Sequence, residues 1–300
     1  MGLRTRVSQR QKRVGQELQR LREEAGLSGT EAGAHVGLGR PHLSHIETGR
    51  THIAEDKLRS LAALYGCTDS ELVDALVDMS QSNGKGWWST YKRFKGTRSR
   101  ELAELESMAT AHQSFEWLYV PGLLQTPDYM RELFLRSLPD ESPEAIDEYV
   151  EFRLRRQQVL TDEPTPAYHA VIHEAAFHMQ FVSRDTMRQQ LKYLAEVSQF
   201  PNITIQVMPF SSDAHPATPG APFTIFETHS PQLRTVYVEQ PITSVFLGDR
   251  PHVDQFATDF ARLSTVSLAP LDTAGPMAEG SLGLIQHVLY VLKEGKRASP

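Results

Sequence analysis

The chain has 300 residues, with 31 Lys and Arg against 37 Asp and Glu, a formal net charge of −6, 40% hydrophobic residues and 23% charged ones. That balance suits soluble globular domains, about two at this length, and excludes a chain that holds nucleic acid by bulk positive charge. A single cysteine, Cys67, excludes an intrachain disulfide and fits a cytoplasmic setting; no apolar run reaches the ~18 residues of a membrane span, and the start, MGLRTRVSQRQKR, lacks a secretory h-region.

The spacing of Leu18, Leu21 and Ala25 predicts a first helix over residues 9–25, closed by Gly26 as a left-handed cap. Ser28 caps a second helix, and Glu31, three residues on, completes a capping box. That helix runs to about Val36 and Gly37 ends it. A third helix begins near Gly39 with Pro41 in its first turn. Leu43 and Ile46 turn inward, leaving Arg40, His42, Ser44 and His45 outside. Helix, tight turn and helix over residues 27–50 is the layout of a DNA-reading unit, whose second helix offers its outer N-terminal residues to base edges. Arg suits a guanine edge, and Ser or His can serve either base type. Residues 1–22 hold Arg4, Arg6, Arg10, Lys12, Arg13, Arg20 and Arg22 against Glu17, a local charge of +6 that is expected to track phosphates. A fourth helix is predicted over Asp56–Tyr65, capped by Gly66. A fifth opens at Thr68 or Asp69, with Leu72, Val73, Leu76 and Val77 on one side.

Residues 9–79 resemble the Xre-type domain, the five-helix fold of the phage Cro and CI repressors. Gly26-Leu27, Val36-Gly37, Leu43-Ser44 and Ile46-Glu47-x-Gly49 carry the match, which has no gaps from Arg22 through Glu47. The resemblance implies base reading by Arg40, Pro41 and His45, with His42 beside them. It implies phosphate contacts at Gly29, Thr30, Ser44, Arg50 and His52, and a structural salt bridge between Arg22 and Glu47. Double-stranded DNA is the partner it implies. A homodimer on two half-sites about 34 Å apart is the expected arrangement. The sequence departs from the pattern in helix two, where Ser28-Gly29 and Ala32-Gly33 replace the usual Ser-Gln and Leu-Ala, and at Pro41, which replaces a polar reader. Gly33 inside a helix is expected to cost about 1 kcal/mol relative to Ala.

The polar run 81–86 reads as a linker between residues 1–80 and a larger domain over 87–293, with 294–300 a flexible tail. Helices are predicted near Glu101–Ala111 and over Asp128–Ser137, Glu144–Leu160, Arg184–Gln199, Asp249–Leu263 and Ala278–Leu292. Strand signals fall at Tyr168–His173, Ile203–Met208, Pro222–Glu227 and Thr235–Glu239. The fold class is therefore an all-α five-helix DNA-binding domain followed by a larger α+β domain with an antiparallel or mixed sheet. Trp87-Trp88, Val120-Pro121-Gly122-Leu123-Leu124-Gln125-Thr126-Pro127, Arg156-Gln157, Gln190-Leu191 and Val207-Met208-Pro209-Phe210 follow in that order. Their order and spacing resemble the domain of unknown function that follows the Xre domain in the actinobacterial WhiJ-like group. That resemblance implies a transcription factor paired, antitoxin-like, with a small partner protein encoded nearby.

The larger domain carries no nucleophile elbow, GxGxxG or P-loop. His169, His173, Glu174 and His178 lie close in sequence but lack a metal-ligand spacing. No enzyme activity, metal or cofactor is expected. Trp87, Trp88 and Tyr91, and Arg153 and Arg156, are the candidate partner or effector surface; the alternative for the tryptophans is that they anchor the chain into the large core. A partner protein would need an exposed apolar groove, and a small-molecule effector a closed pocket with convergent polar groups. A hydrolase is the weaker alternative.

Overall fold

Five helices with short glycine-capped connections follow the sequence pattern: α1 Gln9–Glu24, α2 Gly29–His35, α3 Arg40–Glu47, α4 Glu55–Leu64 and α5 Ser70–Gln81. This computed structural model describes residues 7–82, 84–94, 98–212, 221–240, 244–273 and 280–294. Arg4 and Arg6, Lys95, the loop 218–220, the predicted start of the last helix at Ala278 and the tail beyond Glu294 lie outside them.

The described chain divides into two compact units, each treated on its own: Met1–Thr110 with Phe226–Val236 and Phe246–Val253, and Ala111–Ile225 with Tyr237–Val245 and Asp254–Pro300. In the first unit, α1 to α5 enclose Leu18, Leu43, Leu58, Leu61, Leu72 and Leu76, all essentially removed from solvent. A sixth helix, α6 Arg98–Glu106, is braced on α1: Glu104 accepts from Arg10 Nε at 2.7 Å, and Glu101 accepts from the Gln9 amide at 2.8 Å.

The larger domain is α+β, with one mixed six-stranded sheet in the order β3-β2-β1-β4-β5-β6. The strands are β1 Ala111–Glu116, β2 Ala167–His173, β3 Ile203–Met208, β4 Phe223–Glu227, β5 Thr235–Val238 and β6 Val245–Leu247. β1, β2 and β3 are parallel neighbours. Helices α7 Pro127–Ser137 and α8 Pro143–Gln157 join β1 to β2, and α9 Arg184–Val197 joins β2 to β3. This half of the sheet therefore alternates strand and helix, an order the strand signals do not reveal because β1 is not among them. β4 opposes β1: Thr110 N donates to Glu227 O at 2.9 Å, and Thr224 Oγ1 donates to Ser114 Oγ at 3.4 Å, so residue numbers fall on one strand as they rise on the other.

Helices α10 Arg250–Val266 and α11 Gly280–Glu294 close the chain. The outer edge of β3 is covered. Leu268 N donates to Val207 O, Leu271 N to Ile205 O, and Ser281 Oγ accepts from Val207 N. An edge so paired cannot template another strand.

Several motifs that carry the family resemblance meet around residues 120–126. Gln190 accepts from Thr126 N and donates to Leu124 O, both at 2.7 Å. Gln157 donates to Gln125 O at 2.7 Å, and Gln125 donates to Val120 O at 2.7 Å. Stretches distant in sequence thus share one set of otherwise unsatisfied carbonyls.

On β1, His112 is 1% exposed beside the Tyr168 ring, and burial, followed by Arg156, pushes its pKa down to about 3. Glu116 is pushed the other way, well above the carboxylate range, by burial and then by Glu239. The unfolded His112 titrates near 6.5. The stability it contributes is full above that pH and is lost as pH falls toward 3. Thermal midpoints of His112→Asn should therefore decline less between pH 6.5 and 4 than those of the parent, the Glu116 effect being common to both proteins. Parallel declines would count against this role.

Candidate nucleic-acid interface

The recognition geometry starts from α1. Gly15 lies against the C-terminal turn of α3, where a Cβ would come within 2.7 Å of Ile46 O. Below that contact, Arg22 grips Glu47 through Nε–Oε1 at 2.6 Å and Nη2–Oε2 at 3.1 Å, and donates to Leu27 O at 2.9 Å. Glu47 raises the Arg22 pKa through that hydrogen bond. Burial and the neighbouring Glu47 push the Tyr65 hydroxyl to about 12. α3 is thus held from behind by a fork-shaped ion pair and a backbone-to-backbone approach that needs a glycine.

The turn is equally determined. Ser28 Oγ accepts from Glu31 N at 3.2 Å, and Glu31 Oε2 accepts from Ser28 N at 2.9 Å. Gly37 has φ +67°, and Leu38 N donates to Gly33 O at 2.8 Å. Lys57 on α4, which the sequence reading missed, ties the turn by donating Nζ to Val36 O at 2.6 Å. Gly33, read from the sequence as a cost, meets a specific demand: a Cβ there would stand 2.6 Å from Leu38 O.

The outer face carries Arg40, Pro41, His42 and Ser44 exposed, and His45 half-buried. Gly29 adjoins this group, since a Cβ on it would be 3.8 Å from Arg40 Cγ; Thr30 next to it is exposed. Arg50 is exposed after Gly49 (φ +73°), its amide donating to His45 O at 2.8 Å. His52 is half-buried and, with Arg10 and Gly49, lines a cleft of about 20 Å³.

The arginines fall into two groups. Arg10 and Arg13, 2% and 4% exposed, are committed inside the unit. Arg10 bonds Glu104 and Met79 O, and Arg13 bonds Glu17, Gln232 O and Arg234 O. Arg20 bonds Glu17 and Glu24, and Arg22 bonds Glu47. The expectation that the first helix spreads its positive charge along phosphates is therefore corrected for Arg10 and Arg13: they neutralise buried carboxylates and carbonyls instead. Lys12 remains exposed. Among the described residues, Arg40 and Arg50 have no ion pair or side-chain hydrogen bond.

The candidate partner residues fall in different units. In the first, Trp88 is 7% exposed and meets Trp87 edge-on at 5.8 Å; Trp87 meets Tyr91 at 5.9 Å. These rings therefore sit with the helical unit rather than anchoring in the large core. In the second, Arg153 lies 4.5 Å over the Phe134 ring and donates to Gln125, and Arg156 is buried. The neighbouring histidines diverge: His169 meets Gln206 (2.7 Å), His173 accepts from the Ala175 amide (3.0 Å) and His178 meets Glu174 (3.3 Å). Burial lowers the His169 pKa. Among the described residues, no group of three such side chains could hold a metal, and no helix is long and apolar enough to cross a membrane.

Comparison with known proteins picks out two stretches of the chain. A family model described as a helix-turn-helix domain matches residues 13–76, and one described as "Domain of unknown function (DUF5753)" matches residues 99–279. The HTH-type transcriptional regulator DdrOP3 of Deinococcus deserti is 25% identical over 145 residues, which cover 48% of this chain and 96% of that protein. No solved structure matches.

Replacing Gly33 by Ala tests the turn. Helix propensity alone would stabilise the protein by about 1 kcal/mol. The close carbonyl reverses the sign, and a loss of about 1–3 kcal/mol is expected from overpacking. A denaturant midpoint equal to or above the parent's would overturn this account of the turn.

Proposed function

For a chain that belongs to the DUF5753 family and carries a helix-turn-helix domain, we propose a sequence-specific DNA-binding transcriptional regulator. The observation that carries the reading is the contrast among arginines. Those of α1 are consumed internally, while Arg40 and Arg50 stay exposed and uncommitted at the two ends of α3. Arg40, Pro41, His42 and His45 read bases, and Gly29, Thr30, Ser44, Arg50 and His52 meet phosphates. The similarity to a transcriptional regulator of Deinococcus deserti supports the same class.

The finer reading is an Xre-type repressor of the WhiJ-like group, acting on DNA in the cytoplasm as a homodimer. Its DNA-reading helices lie within residues 1–80, and its regulatory part lies within residues 87–293. The regulatory part takes a small partner protein in an antitoxin-like pairing. A cleft of about 540 Å³ supports a protein partner: Phe177, Met179, Val182, Met187 and Leu292 line it beside His178, Gln180 and Arg184, and its Tyr290 and Val291 are large apolar side chains left exposed.

Selection of duplexes from a random pool, followed by binding of variants, tests the DNA assignment. Arg40→Ala should cost about 1–3 kcal/mol of discrimination at its base pair. Arg50→Ala should weaken selected and scrambled duplexes alike. Parental affinity and discrimination in the Arg40 variant would remove Arg40 from the readers.

A further inference from the structure

We propose that the tip of the β4–β5 hairpin, Ser230–Arg234, is a positioning element of the DNA-reading helices, an inference that rests on the DNA-binding function proposed above. The tip belongs to the same compact unit as α1 to α5. Leu233 is 0% exposed and is part of the hydrophobic cluster that those helices enclose. Gln232 beside it engages two helices at once. Its carbonyl accepts from Arg13 of α1, its Oε1 accepts from Arg20 of α1 at 3.2 Å, and its Nε2 donates to Asp69 Oδ2 at 2.8 Å. Asp69 in turn caps α5, its Oδ1 accepting from Leu72 N at 3.0 Å. Arg234 O takes a further bond from Arg13 Nε at 3.4 Å.

The tip is also held by its own bonds. Leu233 N donates to Ser230 O at 2.9 Å, Thr228 Oγ1 donates to the same carbonyl at 2.9 Å, and Arg234 pairs with Glu227 at 3.1 Å. Gly248 approaches Arg13 from another side, where a Cβ would stand 2.7 Å from Arg13 Cδ. The guanidinium of Arg13 is therefore enclosed by hairpin carbonyls, Glu17 and the Gly248 backbone. Two residues along α1, Gly15 abuts α3, and further on Arg22 holds Glu47. α1 thus seats the hairpin at Arg13 and Arg20 and the recognition helix at Gly15 and Arg22. Its placement by the hairpin is transmitted to α3 without any hairpin residue touching DNA.

The test uses the full-length protein, hydrogen exchange, and a duplex selected by the parent from a random pool. Leu233→Ala removes the buried side chain, Gln232→Ala removes only the side-chain bonds, and Leu233→Met is the conservative rescue. The expected result is loss of amide protection in α1 and α3, with α9 and α11 at parental protection. Discrimination between selected and scrambled duplexes falls at least fivefold, and Leu233→Met restores both readouts. Parental protection of α1 and α3 in Gln232→Ala and Leu233→Ala would overturn the proposal, as would lost protection with unchanged discrimination, which marks a brace and no more. Should Leu233→Ala fail to fold, Gln232→Ala decides alone. A parent that selects no sequence overturns the DNA-reading function itself; the seating of α1 by the hairpin is then judged by exchange alone.

Discussion

The first unit is organised by a guanidinium that leaves water. Arg13 sits at 4% exposure on α1, and burial, though opposed by Glu17, lowers its pKa. A charge in that position is tolerable only when its donors are matched, and leaving even one partner out costs several kcal/mol. Glu17 supplies the countercharge, and the carbonyls of Gln232 and Arg234 supply the remaining acceptors. Arg10 obeys the same rule with Glu104 and Met79 O. These two side chains recruit segments that no local pattern would join to a helix-turn-helix: α6 and the β4–β5 tip.

That recruitment reshapes the electrostatics. A first helix rich in arginine suggests a surface that steers toward DNA from afar. With most of its charges paired at short range, Arg40 at the start of α3 and Arg50 just after it are the arginines beside it that stay exposed and uncommitted. Close backbone approaches complete the arrangement. Gly15 lets α1 meet the end of α3, and Gly33 lets the turn fold back on α2. Both glycines exchange helix propensity for proximity, and their value is visible only when the opposing carbonyl is known.

Much of the fold was legible in sequence because its signals are local. Ser28 with Glu31 announces α2, and Gly26, Gly37 and Gly66 each adopt the left-handed conformation expected of a helix end. β2 to β5 declared themselves through β-branched and aromatic alternation. β1 did not: AHQSFE carries His112, Gln113, Ser114 and Glu116, and it is a strand because its backbone pairs with β2 at His112↔Tyr168 through Glu116↔Ile172. β6, at three residues, is too short for any period. The exposed face of α3 was readable from helical spacing alone. The fate of Arg13 was not, since its acceptor lies 219 residues away in the chain. Lys57 escaped for a similar reason, its partner being a carbonyl in the turn 21 residues earlier.

Leu233 lies about 150 residues beyond Gln81, the end of α5, yet it is part of the core that the first five helices enclose. A ribosome adding roughly 5–20 residues per second therefore leaves these helices without that side chain for about 8–30 s after α5 is made. During that interval the residues of the five helices are present but the core they enclose is incomplete. A chain terminated before Leu233 therefore carries all five helices around a core that lacks one of its fully buried side chains.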